Sequence, residues 1–199
     1  VVFKNEIREI LKGLLDFKIN DNTQFSIKII ISMIPAILVG LFFQNQIEAL
    51  FSKNLVLVGV MLLFTAIILF LADRARDTQK EVTLSNAFVL GIVQAIAILP
   101  GISRSGSTIA SAVLLGIDRQ KATRFSFLMV LPLIFGSMAK TIIDLEGTPQ
   151  NSNITILAIG FISAFISGIV ACKWMITIVK KSQLRYFSYY CIFVGIITL

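Results

Sequence analysis

Leu99-Pro100-Gly101-Ile102-Ser103-Arg104-Ser105-Gly106-Ser107-Thr108 sets an arginine, four hydroxyls and two glycines between stretches that are otherwise apolar enough to lie in a membrane. A charged side chain near the bilayer centre costs about 2.5 to 3.5 kcal/mol on insertion scales, so such a residue marks a functional site with a partner to be found. All eleven acidic residues of the chain fall in loops or at segment ends, which leaves Arg104 no intramembrane counter-ion in the sequence. A phosphate is the partner this residue set suits. The bland alternative is a broken helix whose Ser and Thr merely cap it, with Arg104 snorkelling or paired to a carboxylate.

The composition agrees with a membrane setting. Of 199 residues 56% are hydrophobic and only 15% charged, with a mean hydropathy of +0.88, where a soluble domain has about 45 to 50% apolar and 25% charged residues. The net charge of +7 sits in loops beside apolar segments, which suits membrane orientation rather than nucleic acid. Cys172 and Cys191 lie in apolar stretches without a Cys-x-x-Cys pair, and no histidine is present. Disulfide, zinc and redox chemistry are therefore not indicated, and the commonest general base is missing.

Residues 1–24 are basic and carry Ile7, Ile10, Leu11, Leu14 and Leu15 at helical spacing, which fits an amphipathic helix at the membrane surface or a loop helix packed on the protein. Apolar segments then run from about Ser26 to Phe43, Leu55 to Ala72, Leu84 to Leu99, Ile109 to Ile117, Phe125 to Ile143, Ile154 to Cys172 and Tyr186 to Leu199. Five are long enough to span, or nearly so. The pair around the motif is short, and Pro100-Gly101 breaks the helix between them.

Positive charge decides how that pair is threaded. Arg74, Arg76 and Lys80 precede it and Arg119, Lys121 and Arg124 follow it, whereas the loops Gln44 to Asn54 and Asp144 to Asn153 share only Lys53. Both flanks thus read as cytoplasmic, and residues 84–117 as a re-entrant hairpin that enters and leaves on one side. Irregular backbone at that depth requires protein or water around it, so the tip is expected to line a cavity open toward the outer face. The expected fold is one all-α polytopic membrane domain over residues 1–199, with about five spanning helices and this hairpin.

Within the motif, Gly101 and Gly106 allow a tight turn and close approach of a ligand to the main chain. Ser107 or Thr108 is expected to cap the half-helix that follows, with its free N–H groups and positive dipole end facing the cavity. The Arg104 fork and the hydroxyls of Ser103 and Ser105 complete a phosphate cradle. Gln94 is placed to bond either a ligand or the hairpin backbone. Pro35 and Pro132 each lie in a segment opened by Phe-Ser, which fits either a trace of an internal repeat or simply the proline common in kinked membrane helices. Trp174, Tyr186, Tyr189 and Tyr190 beside Lys173, Lys180, Lys181 and Arg185 read as interfacial anchors. Gly160, Ser163, Ala164, Ser167 and Gly168 form a small-residue face suited to helix packing.

Gly91-Ile92-Val93-Gln94, the Leu99 to Ile109 run, and Arg124-Phe125-Ser126-Phe127 with Pro132 together resemble the second signature region of the undecaprenyl-diphosphate phosphatase family, the bacitracin-resistance proteins. The resemblance implies a bacterial cytoplasmic-membrane enzyme built as an inverted repeat. It would remove the terminal phosphate of undecaprenyl diphosphate on the outer side, recycling the carrier for peptidoglycan. On this resemblance Arg104, Ser103 and Ser105 are the candidate catalytic residues, and Gly101, Gly106, Ser107, Thr108 and Gln94 the candidate substrate-binding ones. A divalent cation, magnesium or calcium, is the implied cofactor, with no residue here assigned as its ligand. The implied partners are the membrane and a polyprenyl diphosphate lipid, with no nucleic acid, and a homodimer is left open. The family's first signature, Glu-x-x-x-Glu followed by Pro-x-Ser-Ser-x-Gly-His, is absent from the chain. The expectation is therefore a fragment that starts after that region and is inactive alone. Two rival readings stand beside the enzyme: an anion transporter or channel, and a lipid-diphosphate binding or flipping protein without catalysis.

Overall fold

The computed structural model describes residues 21–51, 55–76, 78–144, 154–180 and 183–199. The described residues form α1 (Asp21–Phe42), α2 (Gln44–Phe51), α3 (Leu55–Asp73), α4 (Leu84–Ile96), α5 (Arg104–Leu114), α6 (Arg119–Asp144), α7 (Ile154–Lys180) and α8 (Leu184–Thr198). Four of them, α1, α3, α6 and α7, contain apolar stretches of 19 to 25 residues, long enough to cross a bilayer. α8 is also apolar and, with 15 residues, reaches about 22 Å. Phe42, Phe135, Phe161 and Phe193 are among the many large apolar side chains exposed on the outer surfaces, as a lipid solvent allows and water does not.

Side-chain contacts gather one end of α1, α3, α6 and α8. Arg119 is buried, and its Nη2 donates to the carbonyls of Asp73 (3.3 Å) and Ala75 (2.9 Å), tying the end of α3 to the start of α6. These are carbonyls that a helix C-terminus leaves unpaired, and a cation there also suits the helix dipole. The Arg185 N–H donates to the Asp73 carboxylate, bringing in the start of α8. Phe25 of α1 meets Phe125 of α6 edge to face at 5.7 Å. This pair joins the two Phe-Ser dipeptides noted in the sequence, and Ser26 and Ser126 are both buried beside it.

The same end holds both feet of the hairpin. Lys80 and Ile117 form a parallel bridge, the Asp118 N–H donates to the Lys80 carbonyl at 3.0 Å, and Thr78 Oγ1 donates to the Gly116 carbonyl. Residues 84–117 therefore enter and return at one end of the bundle. α4, with 13 residues, carries the chain about 20 Å inward before it turns, against about 30 Å of hydrocarbon. The tip packs on the far third of α3, near Val58 and Met61.

Several expectations are corrected. Residues 44–51, read as loop, form α2, because Gln, Glu, Ala and Leu favour a helix even where polarity argues against a span. α7 continues through the basic residues to Lys180, and α6 begins at Arg119, six residues before the apolar run. The small-residue face of α7 is not packed among the described residues: a Cβ added at Gly160 or Gly168 would meet nothing within 4 Å. Close approach occurs instead between α3 and α8. There an added Cβ at Gly59 would lie 3.0 Å from the Gly195 carbonyl, and the Ser188 hydroxyl donates to the Ala66 carbonyl at 2.7 Å. The helix expected within residues 1–24 lies outside the described residues as far as residue 20, and residues 21–24 open α1.

Candidate functional site

The turn between the hairpin arms is built by a glycine and a cap. After α4 the chain tightens, with N–H groups of Ala97, Ile98 and Leu99 donating to the carbonyls of Val93, Ala95 and Ile96. Gly101 then adopts φ +91°, a left-handed conformation natural to glycine. A Cβ there would also stand 2.5 Å from the Val58 carbonyl oxygen of α3. α5 starts five residues before the apolar run at Ile109, and its cap is Ser103, where the sequence points to Ser107 or Thr108.

The backbone accounting at this cap defines what the tip offers. A helix start leaves four N–H groups without intrahelical partners. Here the Ser103 N–H donates to Thr65 Oγ1 of α3 (3.4 Å) and the Gly106 N–H to Ser103 Oγ (3.2 Å). The Ser107 N–H already reaches the Ser103 carbonyl at 2.8 Å. The two donors left over are those of Arg104 and Ser105, at the positive end of an 11-residue helix. Among the described residues the Arg104 guanidinium makes no hydrogen bond or ion pair and is half-buried. Ser103 and Ser105 are half-buried beside it, and the Ser103 hydroxyl, accepting from Gly106, keeps its own hydrogen for another acceptor.

The remaining candidates divide by burial. Thr108 is 0% exposed and donates to the carbonyls of Arg104 (2.9 Å) and Ser105 (3.2 Å), so its hydrogen is used within its own helix. Gly106 is buried, and a Cβ there would press on Ser103 Oγ at 2.8 Å, disturbing the cap. Ser107 is 2% exposed with its hydroxyl unpaired, and Gln94 is 0% exposed with both amide atoms unpaired. Of the two partners expected for Gln94, the hairpin backbone is thus not bonded. Sequence reasoning passes over Thr65, the lone hydroxyl in the apolar run of α3. Its Oγ1 donates to the Met61 carbonyl (3.0 Å) while holding the Ser103 N–H, and a single polar residue in such a run is the signal for it.

Beside Ile98 and Leu99 the structure places an apolar groove of about 580 Å³, walled by Pro35, Leu38 and Phe43 of the α1 side and Ile92 and Ile96 of α4. No group of three or more His, Cys, Asp or Glu side chains able to hold a metal ion occurs among the described residues. The implied divalent cation therefore finds no binding set in this part of the chain. At the other end, the Lys121 ammonium bonds the exposed Glu81 carboxylate at 2.7 Å and holds its pKa below the usual carboxylate range.

The sequence profile of the family described as Bacitracin resistance protein BacA matches residues 1–197. Among curated relatives, a protein of Christiangramia forsetii named undecaprenyl-diphosphatase is 58% identical over 98% of this chain and 74% of its own length. Relatives of the same name from Bacteroides fragilis and Methanococcus vannielii are 46% and 40% identical, over 100% and 96% of the chain and 76% and 75% of their own lengths. A profile match across nearly every residue, on a chain whose hairpin carries the signature motif at its turn, means that the chain belongs to the BacA bacitracin resistance family.

Proposed function

We propose that the chain hydrolyses undecaprenyl diphosphate to undecaprenyl phosphate and inorganic phosphate, in the manner its relatives' name describes. The observation that carries this reading is the Arg104 guanidinium, unpaired among the described residues, standing with two N–H groups that find no partner there at the start of α5. Phosphoryl transfer depends chiefly on positioning and on stabilising charge at the phosphate oxygens. Arg104 supplies a planar fork for two of those oxygens, and the N–H groups of Arg104 and Ser105 supply fixed dipoles. The hydroxyls of Ser103 and Ser105 offer further donors. Gly101 and Gly106 keep side chains out of the turn, while Gln94 and Ser107 provide polar groups behind it and Thr108 stiffens the first turn of α5. The apolar groove beside Leu99 gives the polyprenyl tail a surface adjoining the tip.

The direct test is release of phosphate from undecaprenyl diphosphate by membranes from cells expressing the complete reading frame, with undecaprenyl phosphate as the lipid product. Binding of the lipid without release above control membranes would favour the non-catalytic reading instead.

We further read the bundle as a single domain of the bacterial cytoplasmic membrane, with its basic end inside and the tip reached from outside. In a background lacking Cys172 and Cys191, Asn45→Cys is expected to react with an impermeant maleimide on intact cells, and Gln120→Cys only after permeabilisation. Both residues are exposed, at opposite ends of the bundle. The reverse pattern would overturn the orientation.

Gln94 gives a third prediction. A fully buried amide with neither atom bonded costs about 1 to 3 kcal/mol. Gln94→Leu, similar in size and apolar, is therefore expected to leave the melting temperature unchanged or raised. If the amide's partner arrives with substrate, the same variant slows phosphate release about tenfold, the worth of one hydrogen bond to a charged group. Full activity with raised stability would remove Gln94 from the site.

A further inference from the structure

The hairpin tip is mounted on one face of α3. Val58 underlies the turn, its carbonyl oxygen 2.5 Å from a Cβ added at Gly101, and Leu69 underlies the first turn of α5, its Cδ2 3.7 Å from a Cβ added at Gly106. Thr65 falls between them, and Val58, Thr65 and Leu69 recur at helical spacing, so that all three share a face. Thr65 is 0% exposed and is the lone hydroxyl of α3. The helix that carries it is anchored separately on α8, by the Ser188 hydroxyl on the Ala66 carbonyl and by Gly59 against Gly195.

A threonine hydroxyl has one hydrogen to donate and two lone pairs to accept with. At Thr65 the hydrogen goes to the Met61 carbonyl at 3.0 Å, and the Ser103 N–H donates to the same oxygen at 3.4 Å. Ser103 is the cap of α5. Its own Oγ takes the Gly106 N–H, and directly after it come the Arg104 and Ser105 N–H groups that find no partner among the described residues. Holding the Ser103 N–H therefore fixes the direction in which those two dipoles point. Donors aimed in advance at developing charge lose their advantage when displaced, and a shift of about 1 Å can cost about 10²-fold in rate. Thr65, fully buried behind the tip, acts only through Ser103. On the reading of the tip as the diphosphate site, we propose that Thr65 is a positioning residue for phosphate release, its hydroxyl setting the cap of α5 through the Ser103 N–H.

Thr65→Val and Thr65→Ser, made in the complete protein, separate this role from packing. Valine keeps the branched shape and loses the acceptor, whereas serine keeps the hydroxyl and loses a methyl group. Thr65→Val is expected to lower kcat/KM for undecaprenyl diphosphate about tenfold, the effect of leaving one backbone donor unpaired, and Thr65→Ser to keep most of the wild-type value. Calorimetric titration of the detergent-solubilised protein with inorganic pyrophosphate gives a second readout. In Thr65→Val the Kd should rise about tenfold at unchanged stoichiometry, whereas partial unfolding would lower the stoichiometry and leave the Kd alone. The opposite order of the two variants, with serine the more damaged, would overturn the proposal and leave Thr65 a packing residue. Phosphate release and pyrophosphate binding both unaffected by Thr65→Val would overturn it too, with the phosphatase reading intact. Pyrophosphate binding weakened by Thr65→Val in a protein that releases no phosphate would support Thr65 and remove the reaction instead. A wild-type protein that neither releases phosphate nor binds pyrophosphate would sink both.

Discussion

Arg104→Ala is expected to abolish nearly all phosphate release from undecaprenyl diphosphate while leaving the fold intact. The separation follows from what Arg104 touches. Its guanidinium has no hydrogen bond or ion pair among the described residues, so truncation strands no buried partner, and stability should move by less than about 0.5 kcal/mol. Activity has no such protection, because removing one preorganised donor to developing charge typically costs about 10²- to 10³-fold in rate. Arg104→Lys keeps the charge but not the two-pronged geometry and should fall between the two. Arg119→Ala is the matched control. Arg119 is buried and bonded to the carbonyls of Asp73 and Ala75, so its loss should lower the melting temperature first and the rate only through unfolding. Wild-type rates in Arg104→Ala membranes containing equal amounts of protein would remove the hairpin tip from the site.

The forces that shape the fold differ in how plainly they are written into the sequence. The hairpin is legible because membrane topology is set by where lysine and arginine fall, and the flanks at Lys80 and Arg119 carry them openly. The Lys80–Ile117 bridge expresses the same fact in hydrogen bonds. The cap is not legible, because apolarity begins at Ile109 whereas the helix begins wherever its first N–H groups find acceptors. Ser103 supplies one acceptor, and Thr65, 38 residues earlier, supplies the other. No local pattern contains that second contact. Helix packing escapes the sequence for a related reason: a small-residue face allows close approach without naming the neighbour. α7 presents such a face without using it among the described residues, whereas the single glycines Gly59 and Gly195 meet across α3 and α8. Gln94 stands out in the sequence as a polar residue in an apolar helix, but only the packed structure shows both of its amide atoms unbonded.

Gly101→Val is expected to be the most destabilising substitution among the described glycines, and two other glycines divide its effect into parts. Gly116 also has a left-handed backbone, φ +80°, but an added Cβ would meet only the flexible Lys80 side chain, at 3.9 Å or beyond. Gly116→Ala should therefore cost the conformational term alone, about 1 to 2 kcal/mol. Gly91 has no such backbone, yet its added Cβ would drive into the Ser32 carbonyl of α1. Gly91→Ala thus isolates the packing term, about 1 to 3 kcal/mol as the two helices are forced apart. At Gly101 both terms act together, φ +91° with the Val58 carbonyl at 2.5 Å and Met61 Cβ at 3.0 Å. Their sum, about 2 to 5 kcal/mol, approaches the whole stability of many domains. Because the tip would have to lift off α3, the Ser103–Thr65 contact and the cap of α5 should go with it. Denaturant titration in mixed micelles is expected to rank Gly101→Val above Gly91→Ala and Gly116→Ala, with phosphate release lost in Gly101→Val even under conditions where it remains folded. A Gly101→Val protein as stable and active as wild type would mean that the tip does not pack on Val58, and the anion site would lose the turn that builds it.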